Sequence, residues 1–367
     1  MKFSISREAL LRPLTLVAGV VERRHTLPVL SNVLMRVEQD QVSLTGTDLE
    51  VELVGRTVAN QVDEAGSITL PARKLMEICK SLPDMSELEF SLEAERAVLR
   101  SGRSKFTLST LPAAEFPSID DGEGDTELSL PRGTLKHLID MTAFAMAQQD
   151  VRYYLNGMLL EFTANLVRAV ATDGHRLAVC SRPVETVLGE PHKLIVPRKG
   201  VMELARLLDD GEEPVSLTLG ATHVRAHTGD FTFTSKLVDG KFPDYERVLP
   251  RGGDKVLLAD RAGLRQMLSR TAILSNEKYR GVRLHLEENN LKVMANNPEQ
   301  EEAEENIGVE YSGASLEIGF NVAYLIDVLN VLGEDRVQMT LADSSSSALL
   351  EEPGGGDALY VVMPMRL

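Results

Sequence analysis

The chain is poor in cysteine, in net positive charge and in long apolar runs, and each shortage removes a class of protein. Two cysteines occur in 367 residues, Cys79 and Cys180, far apart and in no CxxC pair. They cannot build a disulfide framework and give no zinc-type spacing, so a reducing compartment is expected. Acidic residues outnumber basic ones by 55 to 39, a formal net charge of −16. Such a balance argues for a soluble protein that repels nucleic acid and anionic membranes at long range. No stretch approaches the ~18 apolar residues of a membrane span. The opening MKFSISREALLRPLTLVAGV carries Arg7, Glu8 and Arg12 where a secretory leader would be unbroken and apolar. A cytoplasmic protein with no membrane partner is expected. Catalytic signatures are missing as well. The seven histidines form no HxH pair, and no GxxxxGK[ST] loop is present. Thr172-Asp173-Gly174-His175-Arg176 holds an acid and a base, but no nucleophile or metal-ligand cluster completes it. Asp173-Gly174 between VRAVA and RLAVC reads instead as a two-residue hairpin turn. No catalytic residue, metal or cofactor is expected.

What is present is a weak long-period repeat. LPARKLMEICKSL (70–82) is echoed by VPRKGVMELARLL (196–208), and FPSI (116–119) by FPDY (242–245) at the same interval. GTDLEVEL (46–53) and TDGHRLAV (172–179) match one residue short of it. A fainter third copy opens with VLLADRAGLRQMLSRTAIL (256–274), resembling LSLPRGTLKHLIDMTAFAM (128–146) and MKFSISREALLRPLTLV (1–17), and its GFNVAYLIDVL (319–329) stands where PARKLMEICKSL stands in the first. Five matches in one order define an α+β protein of three tandem copies, each reading strand, helix, strands, helix, strands. Leu10, Leu14, Val17 and Val21 make the apolar stripe of the first helix. Alternating stretches such as Val42-Ser43-Leu44-Thr45 read as half-buried strands. The acidic DDGEGD (120–125) and LPRGGD (249–254) read as linkers, which places the domains at 1–120, 126–249 and 250–367. EEPGGGD (351–357) reads as a loose loop in the last copy.

HTLPVLSNVL (25–34), VRYYLNGMLLE (151–161), ATDGHRLAVCS (171–181), VPRKG (196–200) and KFPDY (241–245) resemble the bacterial DNA sliding clamp family, the beta subunit of DNA polymerase III. So do SNEKYRGVRL (275–284), ANNPEQEEAEE (295–305) and the terminal YVVMPMRL (360–367). The resemblance spans all three copies. It implies antiparallel-sheet, two-helix domains of the DNA clamp fold, six per dimeric ring, with helices lining the hole. It also implies a non-catalytic processivity factor that encircles duplex DNA without reading sequence. The partners so implied are the replicative polymerase alpha subunit, a clamp loader, and other polymerases, mismatch-repair proteins and ligase that use a short hydrophobic peptide.

The charge pattern allows this. Basic residues recur on the expected helices, at Arg7, Arg12, Arg23, Arg24, Arg73, Lys74, Lys80, Lys136, Arg198, Lys199, Arg206, Arg261, Arg265 and Arg270, whereas acids crowd into 120–125, 209–213 and 299–305. Charges beyond a Debye length of ~8 Å are largely screened, so a basic channel can coexist with an acidic exterior. A scaffold that binds no nucleic acid would explain the acidity more simply; the basic helices and the Tyr153-Tyr154 pair speak against it.

By resemblance, Arg24, Arg73, Gln149, Tyr153, Tyr154, Arg198 and Lys199 are DNA-contacting candidates. Paired tyrosines beside a basic segment suit stacking on unpaired bases. By resemblance too, a partner-peptide cleft takes Leu155, Thr172, Gly174, His175, Arg176, Leu177, Pro243 and Val248 from the second copy. The third copy completes it with Asn321, Tyr324, Val361, Met363, Pro364, Met365 and Arg366. Methionine suits a site that must repack around several partners. Ser345 stands where relatives often place an apolar cleft residue. A dimer interface is expected between the edge strand RSKFTLST (103–110), through Arg103, Lys105, Phe106 and Leu108 with nearby Lys74, and the third copy's Ile273, Leu274, Glu299, Glu301 and Glu304. Apolar burial should dominate there, with rim ion pairs fixing orientation.

Overall fold

A computed structural model describes residues 1–22, 27–119, 126–185, 188 and 190–366 of the chain. The first copy runs β1 (Lys2–Ser6), α1 (Arg7–Val20), β2 (Asn32–Glu38), β3 (Gln41–Thr47), β4 (Val51–Val58), β5 (Gln61–Glu64), β6 (Gly66–Pro71), α2 (Ala72–Ser81), β7 (Glu87–Glu93), β8 (Arg96–Ser101) and β9 (Ser104–Ser109). The second runs β10 (Thr126–Pro131), α3 (Arg132–Thr142), β11 (Gly157–Phe162), β12 (Leu166–Thr172), β13 (Arg176–Pro183), β14 (His192–Pro197), α4 (Arg198–Leu207), β15 (Pro214–Leu219), β16 (His223–Thr228) and β17 (Phe231–Lys236). The third runs β18 (Lys255–Asp260), α5 (Arg261–Thr271), β19 (Gly281–Glu287), β20 (Asn290–Asn296), β21 (Glu302–Gly308), β22 (Leu316–Asn321), α6 (Val322–Val331), β23 (Arg336–Leu341), β24 (Ala348–Glu351) and β25 (Ala358–Val362). The expected strand–helix order thus holds in every copy, β5 being an addition to the first.

The same local chemistry starts α1, α5 and α6. Ser6 accepts from Ala9 N, Asp260 from Gly263 N and Asn321 from Ala323 N, each satisfying an orphan amide of the first turn. The helix ends reveal a second repeated device. Arg7 at the start of α1 donates to the carbonyl of Cys79 near the end of α2, and Arg261 at the start of α5 donates to that of Leu329 near the end of α6. A guanidinium there satisfies unpaired carbonyls and opposes the negative pole of the helix. Two of the arginines counted above as a basic helix face are therefore engaged in capping.

The described chain forms two compact units, Met1–Lys136 with Lys199–Leu237, and His137–Arg198 with Val238–Leu367. In the first unit, a five-stranded sheet has the order β5-β1-β7-β8-β9 and an eight-stranded one the order β10-β15-β16-β17-β4-β3-β2-β6. Its core holds Leu10, Leu14, Val17 and Leu75, with Phe3 stacked on Phe90 at 4.8 Å. In the second unit, the eight-stranded order is β14-β11-β12-β13-β25-β24-β23-β18 and the four-stranded order β21-β20-β19-β22. Leu264, Leu268, Leu325 and Leu329 are buried on its helices. Each buried side chain of this size is worth about 1.5–3 kcal/mol.

Each eight-stranded sheet is shared between copies by one rule. The third strand between one copy's two helices pairs antiparallel with the last strand of the next copy. Thus β4 pairs with β17, Leu53 opposite Phe233, and β13 pairs with β25, Leu177 opposite Val361. The corresponding strands β21 and β9 are sheet edges in their own units.

The repeated turn after β3 and β12 confirms the internal homology at the level of single bonds. Thr47 Oγ1 accepts from Leu49 N and donates to Val51 O, while Asp48 Oδ1 accepts from Glu50 N and Val51 N. Thr172 and Asp173 do the same with Gly174 N, Arg176 O, His175 N and Arg176 N. The two-residue turn expected at Asp173-Gly174 needs correction: β12 ends at Thr172 and β13 begins at Arg176, so residues 173–175 form the loop. The aspartate carboxylate replaces ladder partners for two amides and so holds the longer turn open.

Candidate functional site

In the second unit this turn shapes one wall of a cavity. Gly174 has φ +87°, a backbone that favours glycine, and a Cβ placed on it would lie 2.8 Å from the Arg152 guanidinium, which would have to shift. Arg176, next to it, is a buttress. Its Nε lies 3.1 Å from Asp173, its Nη1 2.5 Å from Asp327 on α6, and its Nη2 donates to Phe144 O at 2.8 Å. The guanidinium also sits 4.5 Å from the Tyr324 ring centroid, and His175 stacks on Tyr324 at 6.5 Å.

The cavity measures about 390 Å³ and is lined by Leu155, Thr172, Gly174, His175, Arg176, Leu177, Pro243, Val248, Val361 and Met363, all named from the sequence. Arg152, Tyr154, Asp244, Tyr245 and Ser347 line it too and were not placed there. Its floor is apolar, because Leu155, Leu177, Tyr245 and Val361 belong to one buried cluster. Tyr324 stands behind the wall through its contacts with His175 and Arg176, and Asn321 caps α6. Met363 N donates to His175 O and Met365 N to Gly319 O, which pins the terminal segment beside the cavity; Pro364 and Arg366 lie on that segment outside the lining. Ser345 belongs to an adjoining cavity of about 620 Å³ that shares Val248, and its own hydroxyl bonds Asp343.

A polar network behind Pro243–Val248 holds that wall. Tyr245 donates to Glu161 at 2.6 Å and accepts from Arg168 at 2.8 Å, while Lys193 lies 2.5 Å from Glu161. Burial, reinforced by the bond to Glu161, pushes the Tyr245 hydroxyl up to about 12. Burial opposes ionisation of Glu161, but its bonds from Lys193 and Tyr245 prevail and hold the carboxyl below its ordinary range. The KFPDY string pointed to this segment, yet nothing local in it pointed to Glu161, Arg168 or Lys193.

The nucleic-acid candidates vary in availability. In the first unit, Arg73 is exposed and paired with Glu77 at 2.7 Å. Lys199 is engaged by Asp48 at 2.5 Å, Glu22 at 3.4 Å and Val20 O at 3.0 Å. In the second, Arg198 carries an Nη1 without a partner among the described residues, and Gln149 is exposed at φ 55°. Tyr153 is 57% exposed, whereas Tyr154 meets it edge-on at 5.8 Å and lies in the cavity wall. Arg24 lies outside the described residues, as do Arg23 and the whole linker at 120–125.

Of the interface candidates in the first unit, Lys74, Arg103 and Lys105 are exposed and Phe106 is half-buried on the edge strand β9. Leu108 is only 7% exposed, so its side chain already serves the sheet of its own unit. In the second unit, Ile273 is 75% exposed and Leu274 half-buried. Glu299, Glu301 and Glu304 are exposed on or beside the edge strand β21, Glu304 pairing with Lys292 at 2.9 Å.

Family models for the DNA polymerase III beta subunit match nearly the whole length in three pieces: the N-terminal domain at residues 1–120, the central domain at 129–244 and the C-terminal domain at 246–366. The chain belongs to the DNA polymerase III beta subunit family. It is 63% identical to the beta sliding clamp of Pseudomonas putida and 57% identical to that of Escherichia coli, each over the full length of both chains. The crystal structure of a DnaN sliding clamp from Pseudomonas aeruginosa bound to griselimycin superposes with a TM-score of 0.96 at 62% identity, covering both chains entirely. The three-copy α+β fold is thus that of the beta subunit family. Among the described residues no helix is long and apolar enough to cross a membrane.

Proposed function

We propose that the chain is a sliding clamp, a head-to-tail homodimer that closes around duplex DNA and tethers the replicative polymerase to it. The observation that carries this reading is the strand-pairing rule. With β4 on β17 and β13 on β25, the rule leaves β21 of the last copy and β9 of the first as the unmatched pair, which a second chain can join. Two chains paired this way at both ends close, which is how a heterologous contact avoids a filament. An unpaired edge strand is otherwise an aggregation hazard. Exposed Ile273 and half-buried Phe106 supply apolar area, and the basic Lys74, Arg103 and Lys105 face an acidic β21. The copies in this reading are residues 1–120, 126–249 and 250–367.

The cavity between the 172–177 turn, Pro243–Val248 and Met363 is the docking site for short hydrophobic peptides of polymerases, the clamp loader, mismatch-repair proteins and ligase. Its apolar floor and polar rim suit an extended peptide with apolar anchors. The griselimycin complex of the P. aeruginosa clamp makes that compound a natural probe of the site. Arg24, Arg73, Gln149, Tyr153, Arg198 and Lys199 meet DNA through phosphate and stacking contacts, which position without reading bases. The protein acts in the cytoplasm as a non-catalytic subunit; the energy for loading belongs to the loader. Primer extension on singly primed circular DNA, with cognate polymerase and loader, tests this. Products should lengthen severalfold when the chain is added. Product lengths that do not change with the chain would refute a processivity role.

A further inference from the structure

In the second unit, away from the cleft, one cluster gathers metal-ligating side chains from three separate elements. His137 on α3, Cys180 in β13 and Asp357 just before β25 each offer a donor atom, and these atoms lie within 4.8 Å of one another. We propose that His137, Cys180 and Asp357 form a zinc site. Sulfur, imidazole nitrogen and one carboxylate oxygen suit zinc, whereas magnesium and calcium take oxygen donors.

The spacing favours the same ion. Zinc bonds of about 2.0–2.3 Å at tetrahedral angles place donors roughly 3.3–3.8 Å apart. His137 Nε2 already stands 3.0 Å from Asp357 Oδ2, close to one such edge. Ser181 N donates to Asp357 O and fixes its backbone, so rotation of the Asp357 side chain would supply the remaining adjustment. Cys180 is held in the sheet between Ala169 and Ala358, its cross-strand partners with small side chains.

The surroundings resemble an outer shell. Arg182 Nε lies 2.6 Å from Asp357 Oδ2 and would orient the ligating carboxylate, while its charge limits the affinity. Tyr360 is fully buried and its hydroxyl has no hydrogen-bond partner among the described residues. It lies one diagonal step from Cys180 on the same sheet face, where a zinc-bound water as fourth ligand would satisfy it. Cys180 is a free, buried cysteine, so the metal-free site holds a thiol. Zinc would displace that proton to solvent as the zinc–sulfur bond forms.

Cobalt(II), used as a spectroscopic stand-in on the full-length protein, tests the site. One equivalent should produce a thiolate-to-cobalt charge-transfer band in the near ultraviolet, and one equivalent of zinc should bleach it. Cys180→Ser should lose the band, and His137→Gln should weaken cobalt affinity at least tenfold. His137 is half-exposed on a helix, so its variant keeps the fold even if the buried serine variant does not. Absence of the band in the unaltered protein, or undiminished affinity in His137→Gln, would overturn the proposal.

Discussion

Replacing Arg176 by alanine separates a buttress from a ligand contact. The side chain is 12% exposed and its acidic partners Asp173 and Asp327 are 16% and 38% exposed. An exposed pair is worth about 0–1 kcal/mol, whereas removing one partner of a buried pair costs about 3–5 kcal/mol. Asp327 can still reach water, so its share falls near the lower figure, and Asp173 lies between. The Phe144 carbonyl also loses a charged donor, at about 1–3 kcal/mol. Taken together, Arg176→Ala should cost ~3 kcal/mol. At about 2–4 °C per kcal/mol for 150–250 residues, melting of the second unit should drop by roughly 6–12 °C. Arg176→Lys keeps the charge but not the fork, and should recover about half of the loss. Far-ultraviolet circular dichroism gives the melt, and calorimetric titration with griselimycin, the proposed probe of the cavity, gives the ligand affinity. Its affinity should fall at least tenfold, because the 172–177 wall loses its anchor to α6. A melt within 1 °C of the parent (a shift well under the ~2–4 °C expected per kcal/mol) would refute the buttress. A full shift with undiminished griselimycin binding would detach the wall from the ligand site.

Three further outcomes follow from the same geometry. Gly174→Ala puts a Cβ at φ +87° and 2.8 Å from Arg152, so it should destabilise by about 1–2 kcal/mol and weaken griselimycin binding; a silent substitution on both counts would mean the turn is pliable. Deleting Met363–Leu367 removes the bonds to His175 O and Gly319 O together with a cavity residue, and should abolish griselimycin binding without dissolving the dimer; retained affinity would place the site elsewhere. Phe106→Asp with Ile273→Asp should sediment as a folded monomer, whereas a persistent dimer would refute the β9–β21 contact.

Much of this was legible where the signal is local. The stripe of Leu10, Leu14 and Val17 declares α1, and it is buried as its spacing requires. The matching turns at Thr47-Asp48 and Thr172-Asp173 were visible as strings because each makes its bonds within five residues. The loop length was misread because a carboxylate bond to two amides leaves no trace in a turn dipeptide. Residues whose role depends on distant partners were invisible. Glu161, Arg168 and Tyr245 meet from two strands and a short helical turn, and His137, Cys180 and Asp357 from three elements. Basic residues were counted by type, yet Lys199 is held by Asp48 and Arg7 caps α2. Charge in a sequence does not say where it is spent.

The most direct test of the clamp reading compares retention on nicked circular DNA with retention on the same DNA linearised, after loading and a high-salt wash. Topological linkage predicts that the protein persists on the circle and is lost rapidly from the linear form. Equal loss from both would mean electrostatic binding alone, which falls steeply with salt, and would contradict a closed ring.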